Sequence, residues 1–414
     1  MTIFFDWWPG NSAIYVLIVL IILIAGVVVL GVLYGSVLAQ LQTLKTTVST
    51  INVGAPQKSY YKNMGSSNAQ AVVNAFNQSG ARMLFIGDNM MTGASSANTY
   101  DSRTSSLGNQ LADLNYSVQN RNTTSQSFFG YESSMLDKRV VFSNAWTTDS
   151  NPLYGIGGHT MISKVSTGTI TFTPDTLISY SQTEVYALRT SAAFTVKVGS
   201  NAAVTVTPSS LTPVAGNIVK QVFNNNNGIS APPVIVITTT GATTSTPVQL
   251  FGVSCRLNGI YEVINCGIDT TSTQIITPST PTALLGPGLT ALAPNLVVID
   301  IGAIDFQSSS QATYVQNMQN LFAFLTSQNI PFFVITPPWQ TNVAESTQTA
   351  FVGALKSAMD ASSIPYLDFQ SEMVDLQTQQ NLGMSLTSSS QMTFLGALKC
   401  AQDLMIALTG NAPQ

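Results

Sequence analysis

The sequence predicts an α/β fold: a doubly wound, mostly parallel sheet, interrupted by an inserted β-sandwich or jelly-roll domain and preceded by a transmembrane helix. Three observations carry this expectation. Apolar strand-like runs alternate with amphipathic helical stretches from residue 66 and again after residue 290. Between residues 140 and 262 the pattern changes to short Thr-, Val- and Ile-rich runs separated by Gly, Pro and Asn clusters. Residues 13–34, "AIYVLIVLIILIAGVVVLGVLY", are 22 uncharged and mostly apolar residues.

That last run is long enough to cross a hydrocarbon core of about 30 Å as a helix. Trp7, Trp8 and Tyr15 stand near one end and Tyr34 at the other, as interfacial aromatics do. A cleaved signal peptide fits less well, because the leader "MTIFFDWWPG" has no Lys or Arg and the apolar run exceeds an ordinary signal core. A permanent single-pass anchor in a lipid bilayer is therefore expected. Asp6 is the only charged side chain before the span and Lys45 is the nearest cation after it, which orients the large C-terminal part toward the cytosol. Beyond the span, Val37, Leu41, Leu44, Val48 and Ile51 recur at spacings of 4 and 3. This a/d pattern suits either a helix pairing with a neighbouring copy or one lying on its own protein. The expected organisation is an anchor over 1–36, a stalk over 37–65, α/β segments over 66–139 and 263–414, and the β insert over 140–262.

Along the soluble part, "SSNAQAVVNAFNQSG" reads as a capped helix with Gly80 beyond its end, "RMLFIG" as a strand and "SSLGNQLADLNY" as a helix. "TGTITFTP", "AAFTVKVG", "AAVTVTP", "PPVIVITTT" and "TPVQLFGVS" read as the strands of the insert. "PNLVVIDIG", "IPFFVITPP" and "PYLDF" are then strands, and the stretches between them amphipathic helices. "QMTFLGALKCAQDLMIAL" closes the chain as a helix.

Composition excludes several function classes. Charged residues make up 8% of the 414 and the net charge is −4, with no Lys/Arg cluster, so no nucleic-acid partner is expected. Three cysteines do not make a disulfide framework; Cys255 and Cys266 flank a turn and read as reduced, buried thiols in preference to a pair, and Cys400 as helix core. One histidine and no cluster of metal-ligating side chains predict neither metal nor cofactor.

"MLFIGDNMMTG" resembles the first block of the SGNH (GDSL-type) hydrolases, a strand ending in Gly-Asp-Ser. "PNLVVIDIGAID" is similar to their third block, in which a strand leads to Gly-x-Asn-Asp. "SSSQMTFLGALKCAQDLM" resembles the last block, Asp-x-x-His before a Gly-bearing helix. The layout is similar to polysaccharide and peptidoglycan O-acetylesterases with β-rich insertions. The resemblance implies a serine nucleophile activated by His and Asp, with an oxyanion hole of backbone N–H, glycine N–H and Asn amide. Carried onto this chain, the nucleophile falls on Asn89, the oxyanion Asn on Ile304, the Asp on Ser388 and the His on Gln391. The oxyanion glycine falls on Gly267, with Gly130 as the alternative.

The only histidine, His159, lies in the loop "YGIGGHTMIS" and reads as a loop or packing residue in preference to a displaced base. Asp88 and Asp305 are the carboxylates left near the site; both read as turn caps, and paired acid/base work by them is the minor alternative. Ile304 suggests a site repacked as core. The expectation is thus not an enzyme but a membrane-anchored, inactive SGNH-hydrolase-like structural protein. Its expected place is a virion, as a minor capsid or membrane-to-shell linking protein. Two alternatives stand beside it. One is a membrane-anchored cell-surface protein binding a glycan through Tyr180, Tyr186, Tyr261 and Trp146. The other is an active O-acetylesterase with displaced residues.

Overall fold

A computed structural model describes residues 60–92, 106–117, 123–124, 127–135, 137–148, 154–174, 180–224, 233–257, 259–268, 271–276, 285–385 and 392–409. The apolar run 13–34, the heptads over 37–51, Ser388 and Gln391 lie outside the described residues. Among the described residues no helix is long and apolar enough to cross a membrane.

The central sheet contains β1 (Tyr61–Lys62), β2 (Arg82–Gly87), β3 (Thr123–Thr124), β4 (Tyr261–Gly267), β5 (Leu296–Asp300), β6 (Phe332–Ile335) and β7 (Tyr366–Leu367). Its order is β1-β7-β6-β5-β2-β4-β3. All pairings are parallel except β1 with β7. Tyr61 and Lys62, which the sequence assigns to the stalk, are thus an edge strand: Tyr61 pairs with Leu367 and Lys62 with Tyr366.

β2 and β5 are buried along their whole length, as expected of parallel strands covered on both faces. Side chains alternate between the faces. Met83 and Phe85 share a core with α1 (Ser67–Asn77), α2 (Leu107–Ser117) and α5 (Phe394–Thr409) through Phe76, Leu111 and Leu404. Leu84 and Ile86 face α3 (Gln311–Ser327) and α4 (Glu345–Ala361) through Leu321 and Leu355. The Ser66 hydroxyl accepts from the Ala69 N–H at 3.1 Å and the Ser310 hydroxyl from Thr313 at 3.1 Å, which fixes where α1 and α3 begin.

The chain leaves β2 toward β3 and β4 on one side, then crosses to β5 on the other. The sheet order therefore reverses between β2 and β5, and the carboxyl ends of these strands are where doubly wound folds bind ligands.

Between residues 127 and 256 the described strands are antiparallel; besides one two-stranded hairpin they form two larger sheets. One runs through Val204–Val206, Phe194–Val198, Ile235–Thr239, Thr169–Phe172 and Val140–Phe142. The other centres on Ile218–Asn224, Gln182–Leu188 and Val248–Arg256. Phe172, Phe194, Ile237, Val185 and Val253 share one buried cluster, while Tyr186, Leu188 and Phe251 join the core beneath the parallel sheet. Residues 59–414 pack as one compact unit.

A buried ionic network fastens the antiparallel strands to the parallel sheet. Arg82 at the start of β2 donates from Nε to Glu262 at 2.7 Å, from Nη2 to Glu184 at 2.8 Å and from Nη1 to the Leu292 carbonyl at 2.6 Å. The Tyr186 hydroxyl and Lys220 also donate to Glu184, at 2.7 and 3.1 Å, and Arg256 pairs with Glu262 at 3.4 Å. Burial alone would raise the Glu184 carboxyl; the Arg82 guanidinium overrides it and holds it at about 2.

Two expectations change or resolve here. Tyr180, Tyr186, Tyr261 and Trp146 are all buried, so none offers a ring face on which a sugar could stack. Their apolar bodies serve the cores that the short strands need. Cys255, Cys266 and Cys400 are free and buried, and burial pushes all three thiols up.

Candidate active site

β2, β4 and β5 end in register. Gly87 pairs with Gly267 on one side and with Asp300 on the other. A Cβ on Gly87 would lie 1.7 Å from the Asp300 carbonyl oxygen, so only glycine permits these strands to close at this point. The next residue, Asp88, donates its N–H to that same carbonyl at 3.0 Å. Its carboxylate Oδ2 accepts the Ala303 N–H at 3.0 Å. Asp88 thus ties the turn after β2 to the loop after β5.

Asp300, the last residue of β5, is the group that the sequence reading missed. Its carboxyl is buried and neither oxygen has a hydrogen-bond partner in the structure. Burial, followed by the neighbouring Asp88 charge, pushes it well above the usual carboxylate range. The Asp88 charge nearby makes ionisation of Asp300 harder still. The paired carboxylates are therefore Asp88 and Asp300, and not Asp88 and Asp305. Asp305 is occupied otherwise: it accepts from the Thr273 N–H at 2.8 Å, the Thr273 hydroxyl at 2.6 Å and the Ser309 hydroxyl at 3.1 Å. A signal for Asp300 was present in "LVVID", an acid inside a strand with no polar face.

Tyr314 supports the pair from α3. Its hydroxyl donates to the Ile301 carbonyl at 3.0 Å, beneath Gly302, whose φ is +147°. A Cβ on Gly302 would meet that hydroxyl at 2.7 Å. This contact shapes the bend that aims the Ala303 N–H at Asp88.

Of the positions aligned with a serine-hydrolase set, Ser388 and Gln391 lie outside the described residues. Asn89 opens a short helix, Asn89–Thr92, directly after Asp88. Gly267 does lie beside Gly87 at the carboxyl end of β4, but its N–H donates to Asn265 Oδ1 at 3.3 Å. Gly130 gives its N–H to the Phe251 carbonyl at 3.1 Å. Ile304 is half-buried and absent from the core clusters, so the expected repacking of the oxyanion position into core is not found. It sits at the N-cap of Asp305–Ser308, where its backbone carbonyl, and not its side chain, is engaged. His159 lies on the small hairpin pairing Tyr154–Gly155 with Gly158–His159, half-buried. Among the described residues no group of three or more His, Cys, Asp or Glu could hold a metal ion.

No family model and no curated protein matches the chain in sequence. Solved structures do match. A peptidoglycan O-acetylesterase, described as in action, superposes with a TM-score of 0.60 over 85% of this chain and 97% of its own, at 15% identity. The fold is that of the SGNH hydrolases. A protein assigned to the lipolytic G-D-S-L family from Desulfitobacterium hafniense covers 36% of this chain and 81% of its own, with 19% identity and a TM-score of 0.32. A family two carbohydrate esterase from Cellvibrio japonicus covers 69% of this chain and 98% of its own, with 9% identity and a TM-score of 0.24. At those two scores the weight rests on the first.

The SGNH-like match corrects the expectation that the chain is not an enzyme. Its structural neighbours are esterases, and the degeneracy read from sequence is not shown by the structure. That expectation rested on aligned positions of which Ser388 and Gln391 lie outside the described residues. It also overlooked Asp300. At the carboxyl ends of β2 and β5 the structure places two buried, neighbouring carboxyls, Asp88 and Asp300.

Proposed function

We propose that the chain is an esterase acting on O-acetylated carbohydrate, with Asp88 and Asp300 as its acid/base pair. The observation that supports this reading is the placing of two buried, neighbouring carboxyls at the switch point of the sheet. The substrate class comes from the O-acetylesterase whose fold the chain shares.

The chemistry needs no covalent intermediate. Asp88, as carboxylate, takes a proton from a water as its oxygen attacks the ester carbonyl carbon. Asp300, as acid, gives its proton to the carbonyl oxygen, and a neutral tetrahedral intermediate results. On collapse the C–O bond to the sugar breaks, and Asp88 returns its proton to the leaving oxygen. Asp300 recovers its proton from the intermediate hydroxyl, so acetate forms as acetic acid and both groups are reset. Asp88 is 1% exposed and Asp300 0%, so the ester reaches them only after a local opening of this end of the sheet. Positioned acid/base groups of this kind are worth about 100- to 10,000-fold each.

The setting we propose is a membrane surface, supported by the apolar run 13–34. A place in a virion, between an internal membrane and an outer shell, is the second reading; the 8% charge and the polar surface it implies favour it. Copurification with a capsid lattice tests that setting. The activity is tested by acetate release from acetylated xylan and acetylated peptidoglycan, using the full chain in detergent. Release should have a bell-shaped pH profile and be lost in both D88N and D300N. Release that neither substitution changes would overturn the assignment of the pair.

A further inference from the structure

We infer a second binding site, for an uncharged carbohydrate, at the end of the sheet opposite the Asp88–Asp300 pair. A cleft of about 940 Å³ wraps the amino ends of β6 and β7, where Pro331 and Pro365 lead into the strands. That volume lies within the range of small-molecule sites, roughly 300–1,000 Å³. The acid pair stands at the carboxyl ends of β2 and β5, a strand length of about 15 Å away.

The cleft runs between a helix from each face of the sheet. On α3, Gln319, Ala323 and Thr326 recur at helical spacing and form one wall; Asn68 and Ala71 of α1 contribute to the other. The two alanines keep the walls short, which leaves the space open. The floor is apolar, built by Phe322, Ile330 and Phe332, all buried.

The lining chemistry selects the ligand. No Asp, Glu, Lys or Arg lines the cleft. A phosphate, a nucleotide or an acidic peptide would find no counter-charge there. The rim instead carries side-chain amides and hydroxyls. Asn68 donates to the Ser362 and Ser363 carbonyls at 3.2 Å each, which holds its Oδ1 as an acceptor. Gln319 and Asn329 make no side-chain hydrogen bond to the described residues. Each amide offers an acceptor and two donors, the pairing that sugar hydroxyls require. An uncharged ring with a C–H face for the floor and hydroxyls for the rim amides matches both surfaces.

The site is independent of the esterase reading and is tested apart from it. Chitohexaose, xylohexaose and maltohexaose are titrated calorimetrically into the full chain in detergent. At least one should bind saturably, and Ala323→Trp and Ala71→Trp, both on exposed helix positions, should each weaken binding at least tenfold. The D88N/D300N double variant should bind as the wild type does. No binding by any of the three up to about 10 mM, a very weak affinity by any measure, would overturn the site. So would binding that survives both tryptophans, or that disappears with the acid pair, because the sugar would then sit elsewhere.

Discussion

Replacing Arg82 by Met should destabilise the protein severely, and the structure says by how much. Arg82 is 3% exposed and is the counter-ion of two carboxylates that are themselves 3% and 1% exposed, Glu184 and Glu262. Methionine fills part of the space but removes the buried cation both carboxylates bond most closely, leaving Glu184 to Lys220 at 3.1 Å and Glu262 to Arg256 at 3.4 Å. Breaking a buried pair in this way costs about 3–5 kcal/mol. The Glu184 shift gives an independent figure: a fall from 4.5 to about 2 corresponds to roughly 3 kcal/mol at about 1.4 kcal/mol per pKa unit. At about 2.1 cal/mol/K of unfolding entropy per residue, a unit of about 355 residues shifts by roughly 1.3 °C per kcal/mol, so Tm should fall by about 4–7 °C. The pH dependence has a definite sign. A carboxyl held below its unfolded value contributes stability that is present above about pH 4.5 and lost as pH falls toward 2. The gap between wild type and Arg82→Met, measured by calorimetry, should therefore be largest at neutral pH and narrow as pH drops through that window. The triple variant with Glu184→Gln and Glu262→Gln should recover much of the loss. A Tm within about 2 °C of wild type at pH 7 would refute the reasoning.

Three further outcomes are expected. Asp300 holds its proton above the ordinary carboxylate range, so its contribution to stability falls as pH rises from 3.8 toward its raised value; Asp300→Asn should flatten that decline in denaturant titrations, and an unchanged pH slope would contradict the buried acid. Gly87→Ala would place a Cβ 1.7 Å from the Asp300 carbonyl and should cost at least about 3 kcal/mol, the upper range for overpacking; a stable variant with unshifted melting would show that the strand ends are not closed as described. Cys255, Cys266 and Cys400 are buried with raised thiols, so Ellman's reagent should find none of them in the native protein and all three in denaturant.

Much of the sheet was legible because strands buried on both faces are near-continuous apolar runs. "RMLFIG" became β2 and "LVVID" within "PNLVVIDIG" became β5, each bounded by the turn chemistry that the sequence shows. The serine caps of α1 and α3 were legible for the same local reason. What was not legible depends on contacts between distant residues. β1 is only two residues long and exists because β7 has an open edge, 305 positions away from its first residue. Arg82 opens an apolar strand, and its partners Glu184 and Glu262 lie about 100 and 180 residues on. The acid pair was hidden similarly. Asp88 was noticed beside the aligned nucleophile position, but Asp300 was read as the end of a strand. Only the register, which sets Gly87 against Asp300, makes Asp88 and Asp300 neighbours. The buried aromatic residues of the antiparallel sheets failed as sugar platforms because those short strands need them for core.

The most direct test of an acid-pair esterase is acetate release by the full chain from acetylated xylan and peptidoglycan, followed by proton NMR, beside D88N and D300N variants shown to fold by their melting curves. Release by the wild type, with at least a hundredfold loss in each variant, is the expected result. Folded wild-type protein that releases no acetate from either substrate across pH 5 to 9 would contradict it.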